Sequence, residues 1–185
     1  LNASNILQSA GQGVTTFMGA VNTNTASGID LNGNAFSFTA PVTTTGAGTV
    51  TVTNAGLLDI AAAADMSLDG AFLQDGAGAV QTAGDITTTG DAITFISAVT
   101  LTDGGLISLD TTNGSAAGAN INFQSTLAAA SAGVEDLTLN GGTGGNIDFD
   151  AAVGTTRLGA LTISNANNVT ADSTISAVAI AQAAG

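Results

Sequence analysis

Side chains along this chain alternate between apolar and polar over short stretches, and one seven-residue version of that alternation recurs seven times. The copies are TTFMGAV (15–21), FSFTAPV (36–42), LDIAAAA (58–64), ITFISAV (93–99), INFQSTL (121–127), IDFDAAV (147–153) and VTADSTI (169–175). Side chains project to opposite sides of a strand in turn, so the odd positions of each copy share a face that reads large, large, small, branched. The small place holds Gly19, Ala40, Ala62, Ser97, Ser125, Ala151 and Ser173. Its constancy predicts one repeated cross-section, a stack of coils rather than a globule. On that reading the small place faces inward, and Ser125→Trp is expected to prevent stacking.

A second strand is predicted after each copy from an aliphatic pair spaced by two, usually closed by Asn or Asp. These are Ile29 and Leu31, Val50 and Val52, Met66 and Leu68, Ile107 and Leu109, Leu137 and Leu139, Leu161 and Ile163, then Val178 and Ile180. In four units the second strand begins fourteen residues after the first. The closing Asn and Asp residues are expected to form ladders between coils. Intervals between copies are 21, 22, 35, 28, 26 and 22 residues, near the length of one solenoid coil. Seven coils at about 4.8 Å would advance the rod by roughly 34 Å. The long interval predicts a degenerate coil or a bulging loop over 75–91, and Gly-containing turns at 27–28, 46–48, 103–105 and 140–145 supply corners. Pro41, lacking an N–H, predicts a bulge or strand end.

The two ends also resemble each other. ISAVAIAQAAG (175–185) matches LNASNILQSAG (1–11) at an offset of 174 residues, with Ala, Ile, Gln, Ala and Gly identical. The expectation is a single β-solenoid module over 1–185, about one 174-residue period of a longer tandem array. The absence of an initial Met and of a charged leader agrees with a piece of a bigger polypeptide.

Composition narrows the functional classes. Lys, His, Cys, Trp and Tyr are absent, Arg157 is the one basic side chain, and 14 acids set a net charge of −13. Phosphate backbones need clustered Lys and Arg, so no nucleic-acid partner is expected. No apolar run reaches the ~20 residues of a membrane span, so no membrane insertion is expected either. Disorder is disfavoured because Phe17, Phe38, Phe95, Phe123 and Phe149 keep one place in the pattern, which stacked coils would bury.

The runs GDITTTGDAITFISAVTL (84–101), GANINFQSTL (118–127) and GGNIDFDAAVGTTRLGALTISNANNVTADSTI (144–175) resemble the tandem-repeat regions of bacterial secreted surface proteins of the filamentous-haemagglutinin and autotransporter-adhesin type. That resemblance implies an all-β, right-handed parallel β-helix of about seven coils, located outside the cell or on its surface. It implies a structural fibre or filament segment of an adhesin. Its partners would be identical repeats stacked end to end, in cis or as a homopolymer. A host or matrix glycan partner stays open.

No catalytic, cofactor or metal residues are assigned, and no enzyme activity is expected. Without His, Cys or Lys there is no base to activate a Ser. Asp148 with Asp150, and Glu135 with Asp136, are the nearest to a carboxylate pair, but a glycosidase needs a cleft and sugar-stacking aromatics. GGTGGNIDF (141–149) is like a calcium-binding nonapeptide, yet Asn146 stands where Asp is needed and Asp148 where an apolar residue is needed. A turn is expected there, with room for weak surface calcium binding and no other cofactor. Outward Thr51, Thr138 and Thr162 invite an ice-binding reading, but Asp30, Ser67, Ser108 and Ala179 share their assigned column. Asn2, Asn113 and Asn168 match N-x-S/T, and Arg157 is expected to pair with an acid or cap a loop. The alternatives are a carbohydrate-active or carbohydrate-binding β-helix and a tandem β-sandwich adhesin.

Overall fold

A computed structural model of the chain describes residues 1–184. Every described element is a strand, paired in parallel with the strand one coil before or after it. The chain winds into a parallel β-solenoid of eight turns, with three strands to a turn. At about 4.8 Å per turn the rod advances by roughly 38 Å.

The first face is built from Asn2–Ala3, Val21–Thr23, Val42–Thr44, Met66–Leu68, Ile86–Thr88, Leu106–Asp110, Asp136–Asn140 and the later part of Val153–Asn165. The later part of Ile175–Gln182 opens a ninth turn on this face. The second face is an eight-stranded sheet of Ile6–Gln8, Ile29–Gly33, Val50–Asn54, Phe72–Gln74, Ile93–Phe95, Ile121–Phe123, Ile147–Phe149 and Val169–Ala171. The third face carries Val14–Phe17, Ala35–Phe38, Leu58–Ile60, Val80–Thr82, Val99–Leu101, Leu127–Ala129 and the starts of the two long final strands.

Three-residue strands suffice because each contributes two inward side chains to a shared interior and one outward. Ile93, Phe95, Ile121, Phe123, Ile147 and Phe149 are buried while Thr94, Asn122 and Asp148 between them are half-exposed. Parallel register places like on like: Ile93, Ile121 and Ile147 form one stack, Phe95, Phe123 and Phe149 another. Coil separation is held by backbone hydrogen bonds, so corners must also pass close to one another. A Cβ at Gly78 would lie 1.7 Å from the carbonyl oxygen of Gly56, one coil away, so only glycine allows that approach.

The architecture bears out the solenoid and corrects its detail. A turn has three strands, not two, and there are eight turns where about seven were expected. The copies at 15, 36 and 58 stack on the third face, but those at 93, 121, 147 and 169 stack on the second. The aliphatic pairs divide likewise: Ile29/Leu31 and Val50/Val52 lie on the second face, and the pairs from Met66/Leu68 onward on the first. A strand with its corner takes about seven residues, so an offset of fourteen spans two strands. Periodicity in the sequence does not say whether two or three such pieces close a turn.

The 35-residue interval is ordered throughout, with no loop bulging over 75–91. It contains Phe72–Gln74, Val80–Thr82 and Ile86–Thr88, all in regular register with both neighbours. The small place is a corner, not an inward position: Gly19, Ala62 and Ser173 are exposed, and Ala40, Ser97, Ser125 and Ala151 half-exposed. Smallness there serves the bend, and the folding defect expected of Ser125→Trp no longer follows. Pro41 ends the corner immediately before Val42–Thr44. The five Phe residues form two columns. Phe17 stacks on Phe38 at 4.8 Å, and Phe95, Phe123 and Phe149 stack in a second column, which Phe72, in register with Ile93, meets at a 50° tilt.

Candidate functional site

Side chains singled out for chemistry are dispersed around the rod. Asp148 points outward from the middle of Ile147–Phe149, between Asn122 and Thr170 of the adjoining coils. Asp150 lies exposed at the following corner, its amide donating to the Phe123 carbonyl at 2.9 Å. Glu135 and Asp136 have separate duties despite adjoining in sequence. Glu135 is 2 % exposed and its Oε2 accepts the Ser131 amide at 3.0 Å, whereas Asp136 Oδ1 accepts the Ala160 amide of the next coil at 2.5 Å. Both carboxylates are spent on backbone donors that would otherwise lack partners at a bend.

The glycine-rich 141–149 segment forms the corner leading into Ile147–Phe149. Asn146 donates its amide to Asn120 Oδ1 at 2.8 Å, and its own Oδ1 accepts from Asn167 and Asn168 at 3.0 and 3.3 Å. It is one rung of an amide ladder across three coils. Such ladders were expected from Asn and Asp after the aliphatic pairs, and Asn140 Nδ2 does donate to Asp110 Oδ2 at 3.2 Å. Asn54 departs from that expectation by facing inward, where its Oδ1 accepts Gln74 Nε2 at 2.7 Å.

Thr51 belongs to the second face, stacked over Asp30, whereas Ser108, Thr138 and Thr162 are successive rungs of the first. The single column assumed for them therefore splits. Asn2, Asn113 and Asn168 are exposed. Arg157 is exposed, its carbonyl accepts the Gly133 amide at 2.7 Å and its guanidinium lies over Gly133, so it covers a loop.

Inward hydroxyl and amide groups are what pattern reading overlooked. Thr82 and Thr111 face the interior at strand ends and donate to the carbonyls of Gly84 and Ala119 at 3.0 and 2.9 Å. Thr44 and Thr88 serve the following bends in the same way, through Gly48 and Asp91. Gln74 Nε2 bonds the Gly76 carbonyl at 2.8 Å, and its Oε1 accepts the Ser97 amide at 3.1 Å. The available signal was Thr or Gln two residues after an inward aliphatic or Phe and just before a Gly-containing bend, as in VQTAG.

What remains is the two ends of the spiral. Ile6 is half-buried while Ile29, its register partner one coil inward, is 0 % exposed. Phe17 is half-buried above buried Phe38, and Leu7, Val14 and Met18 are exposed. At the other end Val169, Ile175 and Ala177 are half-buried and Val178 and Ile180 exposed. Among the described residues nothing covers either set, and each end strand keeps one edge of unpaired backbone groups. Near the amino-terminal end lies a shallow groove of about 540 Å³ on the first face. Its lining includes Asn2, Ser4, Asn22, Asn24, Thr43 and Thr45, and no aromatic side chain.

Comparison with protein-family models, curated protein sequences and solved structures returns no match. The stacked parallel coils are compatible with a repeat region. Among the described residues no three acidic side chains converge where they could hold a metal ion, and no helix is long and apolar enough to cross a membrane.

Proposed function

We propose that this chain is a structural repeat module of a secreted or cell-surface fibre, of the filamentous-haemagglutinin and autotransporter-adhesin kind. It acts as a rod segment and performs no catalysis. The supporting observation is the pair of open ends, where parallel strand edges and half-buried apolar side chains repeat the cross-section found between interior coils. A second copy placed on either end would continue the hydrogen-bond ladder and bury those side chains. The partner is therefore another copy of the same module, joined covalently or by edge pairing. Acids dispersed around the rod would keep its sides apart while leaving the axial contact available.

Electron microscopy and fibre diffraction of the concentrated chain test this reading. Rods growing in steps of roughly 38 Å, with a reflection at about 4.8 Å along their axis, are the expected result. Particles that stay one module long at every concentration, without axial contact, would argue for a stand-alone role instead.

A further inference from the structure

We propose that, in an array of these modules, each copy is turned by one face of the rod, about a third of a turn, relative to the copy before it. This rests on the rod reading above and adds the phase at which copies join. The two resembling ends lie on different faces. Ile6 and Gln8 are on the second face, in register with Ile29 and Leu31. Their counterparts 174 residues later, Ile180 and Gln182, are on the first, in register with Leu161 and Ile163.

The likeness is structural as well as sequential, because inward and outward directions are kept. Ala3, Ile6 and Gln8 pair with buried Thr23, Ile29 and Leu31, and Ala177, Ile180 and Gln182 with buried Leu158, Leu161 and Ile163. The kept parity agrees with a true repeat, as period-two alternation would require of one. A second feature shows the same displacement. The seven-residue pattern stands on the third face up to residue 58 and on the second from residue 93, and the aliphatic pairs move from the second to the first. The cause is the 35-residue interval between copies 58 and 93. It spans one full turn, 58 to 80, and then the two further strands that lead to 93. Everything downstream consequently lies one strand earlier in the turn.

A 174-residue period is thus eight turns less one strand. It advances about 37 Å, and a given face recurs every third copy, after roughly 110 Å. Outward groups carried by one module, including the amide-lined groove, are then presented in a spiral around the fibre rather than along one side.

Disulfide trapping can read the phase, because the chain contains no cysteine. The test protein is residues 1–174 followed directly by the full 1–185 chain. Turned by one face, Leu7 of the second copy takes the place of Ala181, beside Thr162 of the first. Unturned, it stacks on the second face beside Thr170. Side chains on paired parallel strands have Cα atoms roughly 4.8 Å apart, within disulfide range. Thr162→Cys with Leu7→Cys in the second copy is expected to cross-link fully under mild oxidation, as judged by peptide mass mapping. Thr170→Cys with the same Leu7→Cys is expected to stay reduced. Thr162→Cys with Ala181→Cys in the single chain is the positive control. Linkage through Thr170 overturns the rotation and leaves the rod intact. Linkage of neither pair overturns the rotation, and images showing two separated modules would remove the rod reading with it.

Discussion

Phe123 shows how a single side chain holds neighbouring coils together. Its ring is 1 % exposed and lies 5.4 Å from those of both Phe95 and Phe149, nearly parallel to each. Truncation to Ala leaves a cavity bounded by backbone that cannot collapse without breaking the ladder, so Phe123→Ala is expected to cost about 3–5 kcal/mol in urea unfolding. Phe17→Ala, at the half-buried end of the other column, should cost clearly less. Equal losses would mean that the interior columns are not what stabilises the rod. Asp69 works at the surface by a different means. Its carboxylate accepts the Ala47 amide at 2.8 Å and the Thr89 hydroxyl at 3.0 Å, tying together a left-handed turn and the following coil. The Ala47 hydrogen bond, followed by that of Thr89, holds its pKa below the ordinary 3.8. A depressed folded-state value means the contribution is present above the unfolded pKa and fades as pH falls through the folded one. Asp69→Asn should therefore melt below wild type at neutral pH, with the gap closing in acid below about pH 4. A gap that stays constant across that range would detach Asp69 from the acid response.

Strands of three residues are too short to persist alone, and each here depends on the coils on either side. Protection against hydrogen exchange should consequently follow axial position more than local sequence. Amides of Phe72–Gln74, Ile93–Phe95 and Ile121–Phe123 are expected to exchange most slowly, and those of Ile6–Gln8 and Ile175–Gln182, with one open edge each, fastest. Mass-spectrometric exchange showing uniform protection from end to end would contradict an axial stack with open ends. Strands were legible because alternation is imposed locally: in Ile93–Phe95, Ile121–Phe123 and Ile147–Phe149 an inward Ile and Phe flank an outward Thr, Asn or Asp. Face assignment was not legible, since Thr15–Phe17 and Ile93–Phe95 look alike although they lie on different faces. Phe72 was missed for a related reason. Its strand ends in inward Gln74, a polar residue that pattern reading places outside, and Asn54 Oδ1, the carbonyl of Gly76 and the amide of Ser97 make that position acceptable.

For the molecule as a whole, a net charge of −13 is spread around the rod, which on the proposed fibre reading would oppose lateral association. Of the four carboxylates considered for chemistry, Glu135 and Asp136 are engaged by backbone amides while Asp148 and Asp150 stand on the outside of the rod, which offers them no cleft in which to converge. On the proposed rod reading, the functional surface is the end of the spiral, where the interior of one module would become the binding face for the next. That conclusion came from burial differences between matched residues such as Ile6 and Ile29, which sequence alone presents as equivalent.

By itself the sequence determined that this chain is all-β, that it repeats, and that the apolar members of each alternating strand point inward, because alternation is set by each strand's own geometry. That Thr44, Thr82, Asn54 and Gln74 also face inward, and that the small residues sit at corners, was decided by the structure. Closure was decided by tertiary structure. Three strands rather than two make a turn, and the 35-residue interval consequently displaces the pattern by a face, because the number of sides depends on how corners pack across coils, a contact between residues about twenty positions apart.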